Sequence, residues 1–140
     1  MALQYDKALI VSTAGSRWAA RWKKQELLWS EFVERCKIPT RDKETLAEYM
    51  ALKKSEQDEL KDVGGFVGGA LRGGIRNARN VIGRDMIALD LDSIPPNETD
   101  TVLSKVERLG VAALVYSTRK HSPDKPRLRV LSPLAQTISA

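Results

Sequence analysis

Met86-Ile87-Ala88-Leu89-Asp90-Leu91-Asp92 is the stretch on which the reading of this 140-residue chain turns. Its first four residues are apolar without a break, the pattern of an interior strand covered on both sides. Asp90 and Asp92 then stand two apart, so a strand points both carboxylates to one face. They lie at the C-terminal end of that strand, where open α/β sheets place their ligand sites. Carboxylates this close repel each other unless a proton or a cation lies between them. A hard divalent ion, Mg²⁺ or Mn²⁺, meets the need, because such ions are typically held by one or two carboxylates plus substrate phosphates. The competing account is structural: the pair ends the strand, and Asp92 caps the next turn.

Downstream, Pro95-Pro96-Asn97 forms a turn into a helix with Val102, Leu103, Val106 and Leu109 as its apolar stripe, ended by Gly110. Val111–Tyr116 is the next strand. This β-α-β unit predicts parallel strands whose ends share one edge of a sheet. Ser117-Thr118-Arg119-Lys120-His121 would then arrive beside the carboxylates. His121, the only histidine, either contacts a phosphate or stands in solvent. After a polar loop, Leu128–Leu131 reads as a last strand ended by Pro133. Arg127 and Arg129 share one face of it, a pairing suited to bidentate phosphate contact, or else they decorate a solvated edge strand.

Upstream, Ala8–Thr13 is a β-branched, apolar first strand, broken by Gly15-Ser16. Ser30 is placed to cap a helix with Phe32, Val33 and Cys36 on its inner face, and Pro39 stops it. Thr40 can cap a second helix carrying Leu46, Tyr49 and Met50, and Ser55 with Asp58 resembles the capping box of a third. From Lys61 to Arg84 the chain is rich in Gly and Arg, which suits tight turns and close backbone approach. A short strand near Phe66–Val67 and a basic loop or hairpin with Arg72, Arg76, Arg79 and Arg84 are expected there. Arg17, Trp18, Arg21, Trp22, Lys23, Lys24 and Trp29 combine cations with aromatic rings. Such rings stack on bases while cations track a backbone, unless Trp22 and Trp29 pack inside.

Hydrophobic residues make up 42% of the chain and charged ones 29%, enough to bury a single core. The net charge of +5 favours an anionic partner such as nucleic acid or nucleoside triphosphate. A lone cysteine, Cys36, excludes an internal disulfide framework and a thiolate zinc cluster. No apolar run approaches the roughly 20 residues of a membrane span, so the expectation is a cytoplasmic protein without a membrane partner.

On these residues the chain resembles the archaeo-eukaryotic primase superfamily, in the primase-polymerase branch of phages and mobile elements that includes virulence-associated E proteins. The resemblance rests on Lys61–Gly69, Met86–Asp92 and Tyr116–Val130, with Arg17, Trp22, Trp29 and Ser30 adding to it. It implies that Asp90 and Asp92 are catalytic ligands of Mg²⁺ or Mn²⁺. It implies also that Ser117, Arg119, His121, Arg127 and Arg129 contact the phosphates of an incoming NTP or dNTP. The second motif of that family is Ser-x-His; here Arg119 stands two residues after Ser117, so His121 or an arginine would take the catalytic histidine's part. Arg17, Trp18, Lys23, Arg72 and Arg76 are the candidates for contact with a single-stranded DNA template.

The fold expected is α/β (α+β), a mixed sheet with flanking helices. A partial RRM-like catalytic core over about residues 63–140 joins an N-terminal α/β unit, helical over about residues 1–62. In an RRM-like sheet the last strand runs antiparallel to its predecessor. The family's third motif, an apolar-Asp pair, has no counterpart after Arg129. The chain is therefore expected to be the N-terminal fragment of a longer primase-polymerase, inactive alone and working with a helicase domain or replication protein, or else a reduced relative lacking full activity. The alternative is a non-catalytic nucleic-acid-binding or replication-associated interaction module.

Overall fold

The computed structural model describes residues 6–140. In chain order the elements are β1 (Ala8–Ala14), β2 (Lys23–Leu28), α1 (Trp29–Cys36), α2 (Leu46–Ala51), α3 (Lys54–Lys61), β3 (Gly65–Val67) and β4 (Gly69–Leu71). There follow β5 (Val81–Leu91), α4 (Thr99–Arg108), β6 (Leu114–Ser117) and β7 (Leu128–Ser139). The α+β class is as expected, but the strands form two sheets rather than one mixed sheet. One has the order β2-β1-β3 and the other β4-β5-β7-β6, and every pairing is antiparallel.

The β5-α4-β6 unit keeps its parallel strands without making them neighbours. The loop after β6 returns the chain as a hairpin, so β7 inserts antiparallel between β5 and β6. This is the split β-α-β arrangement, and the antiparallel last strand implied by the resemblance is present. The ends of β5 and β6 do share one edge of the sheet, because both are registered against the same end of β7.

The expected helical N-terminal part holds two strands. β1 buries Leu9 and Val11 by simple alternation. β2 was invisible as a strand because Lys23-Lys24-Gln25-Glu26 lacks apolar alternation. It forms by pairing with β1 from Thr13↔Lys23 to Ala8↔Leu28, and it contributes Leu27 to the core. β3, from beyond residue 62, joins the same sheet, so the expected division of the chain near that residue runs through a sheet.

The helix starts also differ from the expectations. Ser30 lies inside α1, its N–H and hydroxyl both engaging the Asp6 carboxylate, while Glu31 accepts the Leu28 N–H at 2.8 Å. Thr45 rather than Thr40 caps α2 in a reciprocal box with Glu48. α3 opens one residue earlier than Ser55, with Glu56 accepting the Lys53 N–H at 2.9 Å. Gly110 ends α4 as expected, with φ of 64°.

Leu9, Val11, Leu27, Trp29, Phe32, Met86 and Leu131 form the core between the sheets. Phe32 meets Phe66 edge-on at 5.1 Å. The sheets join where β3 passes into β4. A Cβ on Gly68 would lie 2.4 Å from Met86 Cγ, and one on Gly69 would lie 1.9 Å from the Gly83 carbonyl oxygen. Glycine is required there for close approach, as its density in the sequence suggested. Asp85, only 4% exposed, ties the sheets together: its carboxylate accepts the Ile10 N–H of β1 at 2.6 Å and the Thr137 hydroxyl of β7.

β5 is an interior strand, between β4 and β7, yet it is not covered on both faces among the described residues: Ile87 and Leu89 are 46% and 52% exposed. No helix among the described residues is long and apolar enough to cross a membrane.

Candidate functional site

The end of β5 carries Asp90, and register places Arg129 of β7 opposite it and Tyr116 of β6 opposite Arg129. Cross-strand partners share a face, so the three side chains form one row. Arg129 grips Asp90 with both arms of its fork, Nε to Oδ1 at 2.5 Å and Nη2 to Oδ2 at 3.1 Å. Beside this pair, Arg127 Nη1 stands 3.3 Å from Asp92 Oδ1. Arg127 Nε is buried without a hydrogen-bond partner, so this guanidinium retains unused donor capacity. Both carboxylates remain more than half exposed.

The electrostatics follow from this interleaving. The Arg129 guanidinium, and more weakly Lys61 at the end of α3, hold the Asp90 carboxyl below its usual range. Arg129 is in turn held more firmly protonated by Asp90. Burial pushes the Tyr116 phenol up, while the neighbouring Arg129 guanidinium acts in the opposite direction. An open cleft of about 520 Å³ starts at Asp90 and Asp92 and continues along α4, where Glu98, Thr101 and Lys105 line it.

The structure does not bring every expected residue to this row. Ser117 is registered with Leu128 and Leu91, one step beyond Tyr116, so alternation turns its hydroxyl to the other face of the sheet. Arg119 is engaged elsewhere: it forms a bidentate pair with Asp42, donates to the Glu44 carbonyl at 3.2 Å and lies 4.1 Å over the Tyr49 ring. It fastens the segment before α2 to the loop after β6. His121 sits in that loop, its Nδ1 accepting the Arg127 N–H at 3.1 Å, which leaves the ring hydrogen on Nε2. The histidine therefore braces the strand that delivers Arg127.

Three residues near the carboxylates were not singled out from sequence. Tyr116 reads there as an ordinary strand aromatic, although its register partner Arg129 was a clue once β7 is placed next to β6. Lys61 and Lys105 lie on helices far from Asp90 in sequence, and no local pattern marks them. Trp29 and Trp22 are 2% and 5% exposed and belong to the interior, whereas Trp18 is 79% exposed. Cys36 packs against the core, and burial pushes its thiol up, as suits an inert packing residue.

Asp90 near the end of β5 and Asp92 just beyond it line one cleft, and two carboxylates there suit a hard divalent cation that completes its shell with water and phosphate oxygens. No group of three or more His, Cys, Asp or Glu side chains is placed to share a metal among the described residues. The donor set is thus compatible with a metal that arrives bound to a polyphosphate, and the two arginines supply the matching anion contacts.

A family model described as the VapE N-terminal domain matches residues 1–140. No curated protein and no solved structure matches the chain.

Proposed function

The chain belongs to the VapE N-terminal domain family, the virulence-associated E context of phages and mobile elements, and from that premise we propose that its Asp90–Asp92 centre binds a metal–nucleoside triphosphate for nucleotidyl transfer in replication. The supporting observation is the alternation of two exposed carboxylates with two forked cations at one sheet edge. Without ligand the charges neutralise one another in pairs. A metal–triphosphate would offer each group a better partner: Asp90 and Asp92 would hold the cation, and Arg127 and Arg129 would contact phosphate oxygens.

A bound divalent ion would neutralise charge that develops on the reacting phosphate. The protein's own part is electrostatic and positional. By register Arg129 lies between Asp90 and Tyr116, so a guanidinium released by the carboxylate would remain beside the Tyr116 side chain. Arg127 is steadied by the His121 ring through its backbone N–H, and Lys105 brings a cation to the cleft that Asp90 and Asp92 line.

The exchange of partners makes a specific demand. Metal alone and triphosphate alone should bind weakly, and the two together far more tightly. Calorimetric titration of dNTP or NTP, with and without Mn²⁺, tests this. Asp90→Asn is expected to lose the Mn²⁺-dependent part while the circular dichroism spectrum stays unchanged. Equal affinity for triphosphate with and without Mn²⁺, unaltered in that variant, would remove the proposal. The non-catalytic alternative draws on the same pairs, since Arg129 already satisfies both Asp90 oxygens; it expects that result.

A further inference from the structure

Two loops that are distant in sequence are joined into one cationic surface outside the Asp90 cleft. No acidic residue lies between Gly15 and Gln25 or between Val63 and Arg84. The fold places these two stretches against each other. The Trp22 N–H donates to the Gly74 carbonyl at 2.8 Å, and the Arg21 guanidinium donates to the Gly73 carbonyl. Gly73 and Gly74 both adopt positive φ, and a Cβ on Gly74 would stand 2.8 Å from the Trp22 carbonyl oxygen, so this seam depends on glycine. Arg76 lies over the buried Trp22 ring at 5.2 Å. Arg17, Arg21, Lys23, Lys24, Arg72 and Arg79 are exposed around the seam.

One aromatic side chain stands out from this surface. Trp18 is 79% exposed, with the Arg17 guanidinium 4.8 Å from its ring centroid. Its turn is nonetheless held firmly. Ser16 Oγ donates to Asp62 at 2.6 Å, the Arg17 N–H donates to the other Asp62 oxygen at 2.8 Å, and the Trp18 N–H donates to Ser16 Oγ. Asp62 follows the last residue of α3, so the helix that carries Lys61 toward Asp90 also fixes the Trp18 turn.

A large ring left in water on a turn braced by Asp62, flanked by the cations of two stretches that carry no acid of their own, is the combination that recognises unstacked bases on a phosphate chain. We infer that the Arg17–Lys24 and Arg72–Arg79 loops form a binding site for single-stranded nucleic acid, with Trp18 as the ring on which a base stacks. A duplex would present its phosphates to the same cations but no free base face to Trp18. An acidic lipid surface would use the cations and the ring without regard to bases.

The test is fluorescence anisotropy of the 140-residue chain with a labelled oligothymidine of about 12 nucleotides, within the site sizes known for such surfaces. Binding is expected to weaken with salt, with a logarithmic slope of about 0.7 for each phosphate contacted. Trp18→Ala should weaken binding roughly fivefold to a hundredfold, and Trp18→Phe should restore part of the loss. The combined Arg72→Gln and Arg79→Gln variant should lower the salt slope by about 1.4 while leaving the fold intact. Asp90→Asn should bind the oligonucleotide like the wild type, which separates this site from the nucleotide centre. The inference is overturned if Trp18→Ala binds like the wild type. It is equally overturned if a blunt duplex or vesicles of acidic phospholipid compete better than the single strand, or if no binding is seen at about 50 mM salt.

Discussion

Replacing Asp85 with Ala should cost the protein a large part of its stability, although the residue does not line the Asp90 cleft. Its carboxylate is 4% exposed and accepts two hydrogen bonds, one from the Ile10 N–H and one from the Thr137 hydroxyl. Hydrogen bonds to a charged acceptor contribute about 1.5–3 kcal/mol each, and a buried N–H left without a partner costs about 1–3 kcal/mol. Removing the buried charge returns some of that through its desolvation, so the net loss should be roughly 2–4 kcal/mol. For a domain of this size the melting temperature should fall by about 10 °C. Differential scanning calorimetry or urea unfolding measures it directly. Thr137→Val removes one of the two donors and should cost about 1 kcal/mol in the wild type, but close to nothing once Asp85 is Ala. Asp85 also sits where β5 and β7 shift register, between the Arg84↔Ile138 and Met86↔Pro133 pairs, and it thereby helps set Arg129 opposite Asp90. A melting temperature within about 2 °C of wild type for Asp85→Ala, or full additivity of the two changes, would show that this carboxylate does not clamp the sheets.

Arg119→Ala should lower stability by about 1–3 kcal/mol, through loss of the Asp42 pair and the contact with Tyr49, yet leave Mn²⁺-dependent nucleotide affinity unchanged. A fall in that affinity with stability preserved would reinstate Arg119 as a phosphate ligand. Gly69→Ala should cost roughly 3 kcal/mol or more, because the new Cβ would collide with the Gly83 carbonyl oxygen, whereas Gly15→Ala, with nothing within 4 Å, should be nearly neutral in urea unfolding. Asp90 and Asp62 have carboxyls held below their usual range, by Arg129 and by the Ser16 hydroxyl respectively. A depressed folded-state pKa contributes stability that is complete above the unfolded value of about 4 and disappears as pH falls through the folded value. The urea midpoint should therefore be insensitive to these two groups between about pH 7 and 5. It should drop below about pH 4, less steeply in an Asp62→Asn, Asp90→Asn variant. A difference between the variant and the wild type that is lost between pH 7 and 5 instead would contradict the assignment.

Local chemistry in the sequence was sufficient to determine β1, the β5 carboxylate strand, the stripe of α4 with Gly110 at its end, and the alternation of Arg127 and Arg129, since each depends on side-chain period or on one residue's backbone freedom. It was also enough to pair the ends of β5 and β6 on one edge. Partnership across the fold was another matter. β2 is a strand only because β1 offers it a ladder, and the helix caps moved to Thr45 and Lys53 because competing caps differ by about 1 kcal/mol or less. Pairing of β7 between β5 and β6 put Arg129 opposite Asp90, chose Tyr116 over Ser117 for that face and let Asp42 and Tyr49 take Arg119. Burial likewise separated three tryptophans of similar local setting into two interior residues and one ring in water. A strand's own residues specify which side chains share a face. Which opposite charge meets them depends on the register with a partner some forty residues away, and that is settled only when the sheet closes.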